Sequence, residues 1–261
     1  MLFADDIAIV SDTPEKLQII INQWEENFRA KSMIINENKS KILHVTKKRE
    51  QEQIQITMNG QILEVVEEYK YLGTMFGRNG KINDELKNRI KQATNIYYQL
   101  NKTIIGEKEV SKKTKLQIYN TIYKPTLLYG AESWPINKKV EQKVTAAEMK
   151  FLRKISNKTK RDLVRNTKIR EDLKVKPIME QLEASQLKWY GHTKRMDKNR
   201  IPRKIMETRM EGKRARGRPR TSWMDGIISA GKKRSQTLAE MNRLIAHRKE
   251  WKKFTESNPT P

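Results

Sequence analysis

The 261-residue chain contains no cysteine, and this removes disulfide bridges, thiolate zinc centres and cysteine nucleophiles from its chemistry. Histidine is almost as scarce. His44, His192 and His247 lie far apart with no ligand spacing between them, so each reads as structural, although His192 beside Trp189 and Tyr190 could help to stack a base. No apolar run approaches the roughly 20 residues that a membrane helix needs. The first residues show no basic segment followed by an apolar stretch and cleavage site, which argues against secretion and for a nuclear or cytoplasmic location. Negative charge is in short supply as well, at 31 Asp plus Glu against 55 Lys plus Arg, for a net charge of +24.

An excess of that size favours polyanions, and nucleic acid fits better than an anionic membrane because the basic residues are spread over several segments instead of one amphipathic face. The charge is also uneven. Residues 1–30 carry two basic and six acidic side chains, whereas residues 200–220 carry nine basic and two acidic. A cation-dependent end and a phosphate-gripping end would produce this asymmetry.

The acidic end holds the most informative run, Phe3-Ala4-Asp5-Asp6-Ile7-Ala8-Ile9-Val10. Adjacent carboxylates in apolar surroundings repel each other and lose hydration, so a cation or a tight turn must compensate them. The alternation after the pair predicts a half-buried strand and places Asp5 and Asp6 at the mouth of a hairpin, where they would offer the hard oxygen ligands that Mg²⁺ prefers. The plain alternative is a solvated surface turn.

Beyond this run, Asp12-Thr13-Pro14-Glu15 is a helix-start signal, and Leu17, Ile20, Ile21, Trp24 and Phe28 recur on one face of the helix that follows. Short strands are predicted at 42–46, 54–58 and 62–66, with an Asn59-Gly60 turn, and a further strand pair at 69–76 turning around Gly73. From about residue 82 the pattern is helical. Leu86, Ile90, Ala93, Tyr97 and Leu100 mark one helix; a second, carrying Leu116, Tyr119 and Tyr123, should kink or end at Pro125. Further helices are expected at 139–156, 160–173 and 178–195, a short one around Trp223 and a longer one at 236–254.

Taken in order, these residues resemble the reverse transcriptase of non-LTR (LINE-type) retrotransposons. Phe3-Ala4-Asp5-Asp6 resembles the aromatic-Ala-Asp-Asp box of the palm hairpin, Asn38-Lys39-Ser40-Lys41 the lysine-bearing motif that follows the palm helix, and Tyr69-Lys70-Tyr71-Leu72-Gly73 the primer-grip hairpin. Leu127 to Trp134, Trp189-Tyr190-Gly191-His192, and Arg216-Gly217-Arg218-Pro219 before Trp223 resemble landmarks of the thumb and C-terminal region. The resemblance implies an α+β fold. A partial palm at 1–80 would be followed by a helical thumb at 81–195, a basic linker at 196–221, C-terminal helices at 222–256 and a disordered tail at 257–261. It also implies RNA-directed DNA polymerase chemistry, with Asp5 and Asp6 as catalytic metal ligands, Mg²⁺ as cofactor, and an RNA template with a DNA primer or duplex as partners.

The family's pattern adds a third Asp on an earlier palm strand, and fingers, neither of which is present here. The chain therefore reads as a C-terminal fragment, since the hairpin's first strand would need residues before Met1, and it is expected not to polymerise alone. The other reading from a different class is a non-enzymatic, basic nucleic-acid-binding protein. Lys39 and Lys41 could approach nucleotide phosphates or simply sit on a solvated loop. Tyr71 and Gly73 could position a primer end, or Tyr71 could be an ordinary core aromatic. Arg214, Arg216, Arg218 and Arg220 flank Gly217 and Pro219 in a run resembling an AT-hook, or in a flexible linker that touches phosphates without preference.

Overall fold

The computed structural model describes residues 2–46, 54–80, 82–208, 217, 219 and 221–258. The chain divides into two compact units, Met1–Glu85 and Leu86–Pro261.

The first unit has α+β character, but among the described residues its strands are short and form four separate two-stranded pairs. β1 (Leu2–Phe3) and β2 (Asp6–Ile7) make an antiparallel hairpin around Ala4 and Asp5. Its first strand is thus formed within the chain, by Leu2 and Phe3. The expected continuation of the second strand is absent: β2 ends at Ile7, and Val10 is 78% exposed. Ile9 alone of this run packs on the small core of Ile21, Ile42, Ile56, Met58 and Leu63. With no further strand beside it among the described residues, the run has no ladder to extend.

α1 (Pro14–Ala30) starts where the sequence predicts, with the Thr13 hydroxyl accepting from the Lys16 N–H and Pro14 in the first turn. Its apolar face supplies Ile21 to the core, while Gln18 accepts from the Thr57 N–H and donates to the Thr57 carbonyl, both at 2.8 Å. Asn59 N–H donates to Glu25 at 2.6 Å. The helix side chains therefore serve the backbone groups that a neighbouring strand would otherwise pair.

β3 (Lys41–Ile42) runs parallel to β6 (Glu64–Val65), and β4 (Thr57–Met58) runs antiparallel to β5 (Gln61–Ile62). Asn59 and Gly60, at φ 48° and 78°, form the two-residue turn of the latter pair. β7 (Glu68–Tyr71) and β8 (Thr74–Gly77) form the longest hairpin, and Leu72 and Gly73 at its tip have φ of 46° and 81°.

From Asn83 onwards the chain is helical. α2 (Asn83–Leu100) buries Leu86, Ala93 and Tyr97 along one face. α3 (Lys112–Ile118) widens into a π-type turn at Tyr119–Tyr123 before α4 (Lys124–Leu128). Pro125 lies in the first turn of α4. A proline cannot donate to the carbonyl four residues back and its ring collides with it, so the wider turn upstream absorbs the break.

α5 (Lys138–Ile155), α6 (Asn166–Leu173) and α7 (Ile178–Lys194) follow. α6 starts later than predicted because Asp162 accepts from the backbone and hydroxyl of Thr159, holding that stretch as a turn. α8 (Ile201–Glu207) lies within the segment expected to be linker, with Pro202 in its first turn and Arg203 paired with Glu207 at 3.3 Å. α9 (Trp223–Lys232) opens on a Ser222/Asp225 capping box. The long helix expected at 236–254 is two helices, α10 (Leu238–Leu244) and α11 (Arg248–Glu256). They part at Ile245 to His247, where burial of Ile245 and Trp251 on a common core turns the chain. Ser257, expected to begin a disordered tail, caps α11 through its backbone N–H, and Asn258 accepts from Lys176 at 2.8 Å.

Two packing arrangements hold the second unit. In the first, the Phe151 ring lies 4.4 Å from Tyr123, 5.6 Å from Tyr119 and 5.9 Å from Tyr97, centroid to centroid. In the second, α7 packs on α9, α10 and α11 through Leu187, Tyr190, Ile227, Ala230, Met241, Ile245 and Trp251. Gly191 permits the closest approach: a Cβ there would come within 2.1 Å of Trp251 Nε1.

Candidate active site

Asp5 occupies the turn of the β1–β2 hairpin, and Asp6 pairs through its backbone with Phe3. Ala4 takes φ 52°, which turns the chain tightly enough to present both carboxylates at the tip. Both are exposed, and among the described residues their side chains make no hydrogen bond or ion pair. The pair thus lies at a hairpin turn, as the sequence predicts, but open to solvent and not in the apolar surroundings expected of it.

No cluster of three or more His, Asp or Glu side chains able to hold a metal exists among the described residues. The chemistry of the pair still suits a hard cation in part. Mg²⁺ commonly takes one or two protein carboxylates and completes its octahedron with water and substrate phosphates, so Asp5 and Asp6 supply a partial shell and not a closed site.

Lys39 ends a 3₁₀ turn, Glu37–Lys39, capped by the Asn36 side chain, and is exposed. Its carbonyl accepts from the Tyr69 hydroxyl at 3.3 Å, which joins the lysine segment to the β7–β8 hairpin. Lys41 is paired with Glu64 at 2.6 Å across the β3–β6 register. An anion approaching Lys41 must compete with that carboxylate, whereas Lys39 has no ion pair among the described residues. Tyr71 is half-buried opposite Thr74, at the base of the turn that Gly73 completes. Leu72 shares the left-handed geometry of that turn, an uncommon place for a side chain with a Cβ. The lysine segment and the primer-grip-like hairpin are thus joined, while among the described residues no hydrogen bond or ion pair ties Asp5 or Asp6 to either.

The landmarks in the second unit have clear structural roles. Gln186 on α7 donates to the carbonyls of Ala131 (3.3 Å) and Trp134 (2.7 Å), and Trp223 on α9 donates to the Glu132 carbonyl at 2.7 Å. These bonds hold the Leu127 to Trp134 segment against two helices. Tyr190 is buried and donates to Asn242 at 2.7 Å, but Trp189 is 38% exposed and lies against His192 with ring centroids 5.6 Å apart. His192 itself stands at the surface.

Glu148 is a residue the sequence did not single out. It is completely buried on α5, accepting from Arg170, the Ile178 N–H (3.0 Å) and the Tyr119 hydroxyl (3.3 Å). Burial pushes its carboxyl above the usual range, against the pull of Arg170 and the other donors. Burial likewise raises the Tyr119 and Tyr123 phenols, so both remain neutral donors. Arg195, Arg248 and Lys252 were also passed over, although their spacing along α11 and from Lys188 on α7 was the available signal. Arg214, Arg216, Arg218 and Arg220 lie outside the described residues. Gly217 between them is exposed at φ 112°, a conformation that favours glycine.

Residues 1–76 match the family model described as reverse transcriptase (RNA-dependent DNA polymerase). Across 99% of its length the chain is 23% identical to a transposon-derived protein of Caenorhabditis elegans, covering 95% of that protein. It is also 25% identical, over 72% of its length, to an RNA-directed DNA polymerase from the mobile element jockey of Drosophila funebris. The chain spans about a fifth of that polymerase, 21% of its length. No solved structure matches the chain. The family match and the two relatives support the reading of the chain as a non-LTR retrotransposon reverse transcriptase. No described helix is long and apolar enough to cross a membrane.

Proposed function

We propose that the chain is a reverse-transcriptase portion of a non-LTR element, with a partial palm at residues 1–80, a thumb at 81–195 and a basic C-terminal region that holds nucleic acid. The observation that carries this reading is the hairpin tip presenting Asp5 and Asp6 within the segment that matches the reverse-transcriptase model. The lysine segment and the Gly73 hairpin follow it in the family's order.

Mg²⁺, when bound, would neutralise charge on the reacting oxygens of nucleotidyl transfer. Asp5 and Asp6 would hold it, Lys39 would face phosphate, and the Leu72-Gly73 turn would bring backbone close to a primer end. Two carboxylates leave a paired-metal site incomplete, so the 261-residue chain is expected to bind template and primer without extending them. Primer extension with Mg²⁺ on the purified chain tests this, and a metal-dependent product would overturn the expectation of inactivity. Affinity for a primer–template duplex should fall steeply with salt, as expected for several neutralised phosphates. A salt-independent affinity would overturn the nucleic-acid reading itself.

A further inference from the structure

A groove of about 390 Å³ lies between the C-terminal half of α7 and α11. Four cations line it, Lys188 and Arg195 from the α7 side and Arg248 and Lys252 from α11, with Glu256 as the one acidic side chain. Glu256 contacts Lys188 at 3.4 Å, leaving Arg195, Arg248 and Lys252 without an ion pair among the described residues. The break between α10 and α11 builds this arrangement. Arg195 donates to the Ile245 carbonyl at that break, and Arg248 begins the next helix.

Arg195 retains a buried Nε–H with no hydrogen-bond partner. Burial, and then the neighbouring Arg248, lower its guanidinium from the ordinary value, although an arginine stays charged throughout. Uncompensated positive charge next to an unused donor is the chemistry that a phosphate diester satisfies. Helical spacing places His192 between the Lys188–Arg195 row and Trp189, so the exposed Trp189–His192 pair lies round the α7 surface from the cations, outside the groove lining itself.

We propose that this groove binds single-stranded nucleic acid, with consecutive phosphates on Arg195, Arg248 and Lys252 and a base on Trp189. The inference rests on the nucleic-acid-binding part of the proposed function and deepens it by assigning a site.

Fluorescence anisotropy with labelled oligo-dT and oligo-U on the full chain tests it. Arg248 and Lys252 are exposed, so an Arg248→Gln/Lys252→Gln variant should melt like the parent. Its plot of log affinity against log salt should be shallower by about 1.4, the expectation for two lost phosphate contacts on a single strand. Trp189→Ala should weaken binding about tenfold while keeping the salt slope, as expected for a lost stacking contact. A Lys158→Gln/Lys160→Gln control, which removes the same charge from an exposed loop, should leave the slope nearly unchanged. Parental affinity and slope in the groove variant would overturn the groove and leave the wider reading standing. Competition by poly-glutamate as strong as that by unlabelled oligonucleotide would overturn nucleic acid as the occupant. A wild-type chain that binds neither oligonucleotide would overturn the groove and the nucleic-acid reading together.

Discussion

Residues 1–85 carry 11 Lys plus Arg against 14 Asp plus Glu, while residues 86–261 carry 44 against 17. The two units differ as much in packing as in charge. The first rests on one small apolar core of Ile21, Ile42, Ile56, Met58 and Leu63 with short, separate strand pairs, and its acidic pair is at an exposed tip. The second closes aromatic rings over a buried glutamate and packs four helices around Tyr190 and Trp251. The exposed acidic pair thus stands on the lightly built unit, and the excess of positive charge stands on the strongly packed one. An exposed acidic pair costs little to display, because water and a tight turn compensate it. A surplus of like charge works against compactness, and a well-packed interior offsets that repulsion.

The sharpest way to break this contrast is at Glu148. Glu148→Ala would leave Arg170, Tyr119 and the Ile178 N–H without their acceptor, at a cost of about 3–5 kcal/mol. Urea unfolding should show the loss in the helical unit, and a stability near that of the parent would mean the network is not a mainstay of the fold. Next in size is Gly191→Ala. Its Cβ would meet Trp251, so overpacking should cost about 1–3 kcal/mol. The same change at Gly60, where a Cβ meets open space, isolates backbone strain alone and gives the comparison in thermal melts.

Asp5→Asn/Asp6→Asn should leave stability within about 0.5 kcal/mol, as exposed positions do. In metal-free buffer it should raise nucleic-acid affinity slightly, because two negative charges disappear. A large destabilisation would show that the hairpin tip is more deeply integrated than its exposure indicates. The smallest effect concerns pH. Hydrogen bonds from the Thr237 N–H and hydroxyl hold the Glu240 carboxyl below its ordinary value of 4.5. A lowered acid contributes stability that is present at neutral pH and lost as pH falls through the lowered pKa, so amide exchange at the start of α10 should accelerate only in that acid range.

Much of the local structure was legible. Thr13-Pro14 set the start of α1, Asn59-Gly60 and Gly73 set two turns, and Pro125 marked a disturbance that the helix absorbs as a π-type turn just before it. The Ile245 to His247 break carries neither glycine nor proline, and the expected single helix was a reasonable extrapolation of periodicity. Residues 8–10 alternate as a strand does, but alternation yields a strand only where a partner supplies the ladder. Of the candidate site, the acidic hairpin was readable from two adjacent residues. Lys41 was readable as a lysine but not as one already paired with Glu64.

By itself the sequence determined the caps, the turns, the division of charge and the acidic pair near a hairpin tip, because these depend on hydrogen bonds and sterics within about four residues. Only the tertiary structure decided that Glu148 is buried, that Gly191 lies under Trp251, and that Arg195 and Arg248 share a groove. Such contacts join residues tens of positions apart, and their free energy exists only once packing has removed water from between them.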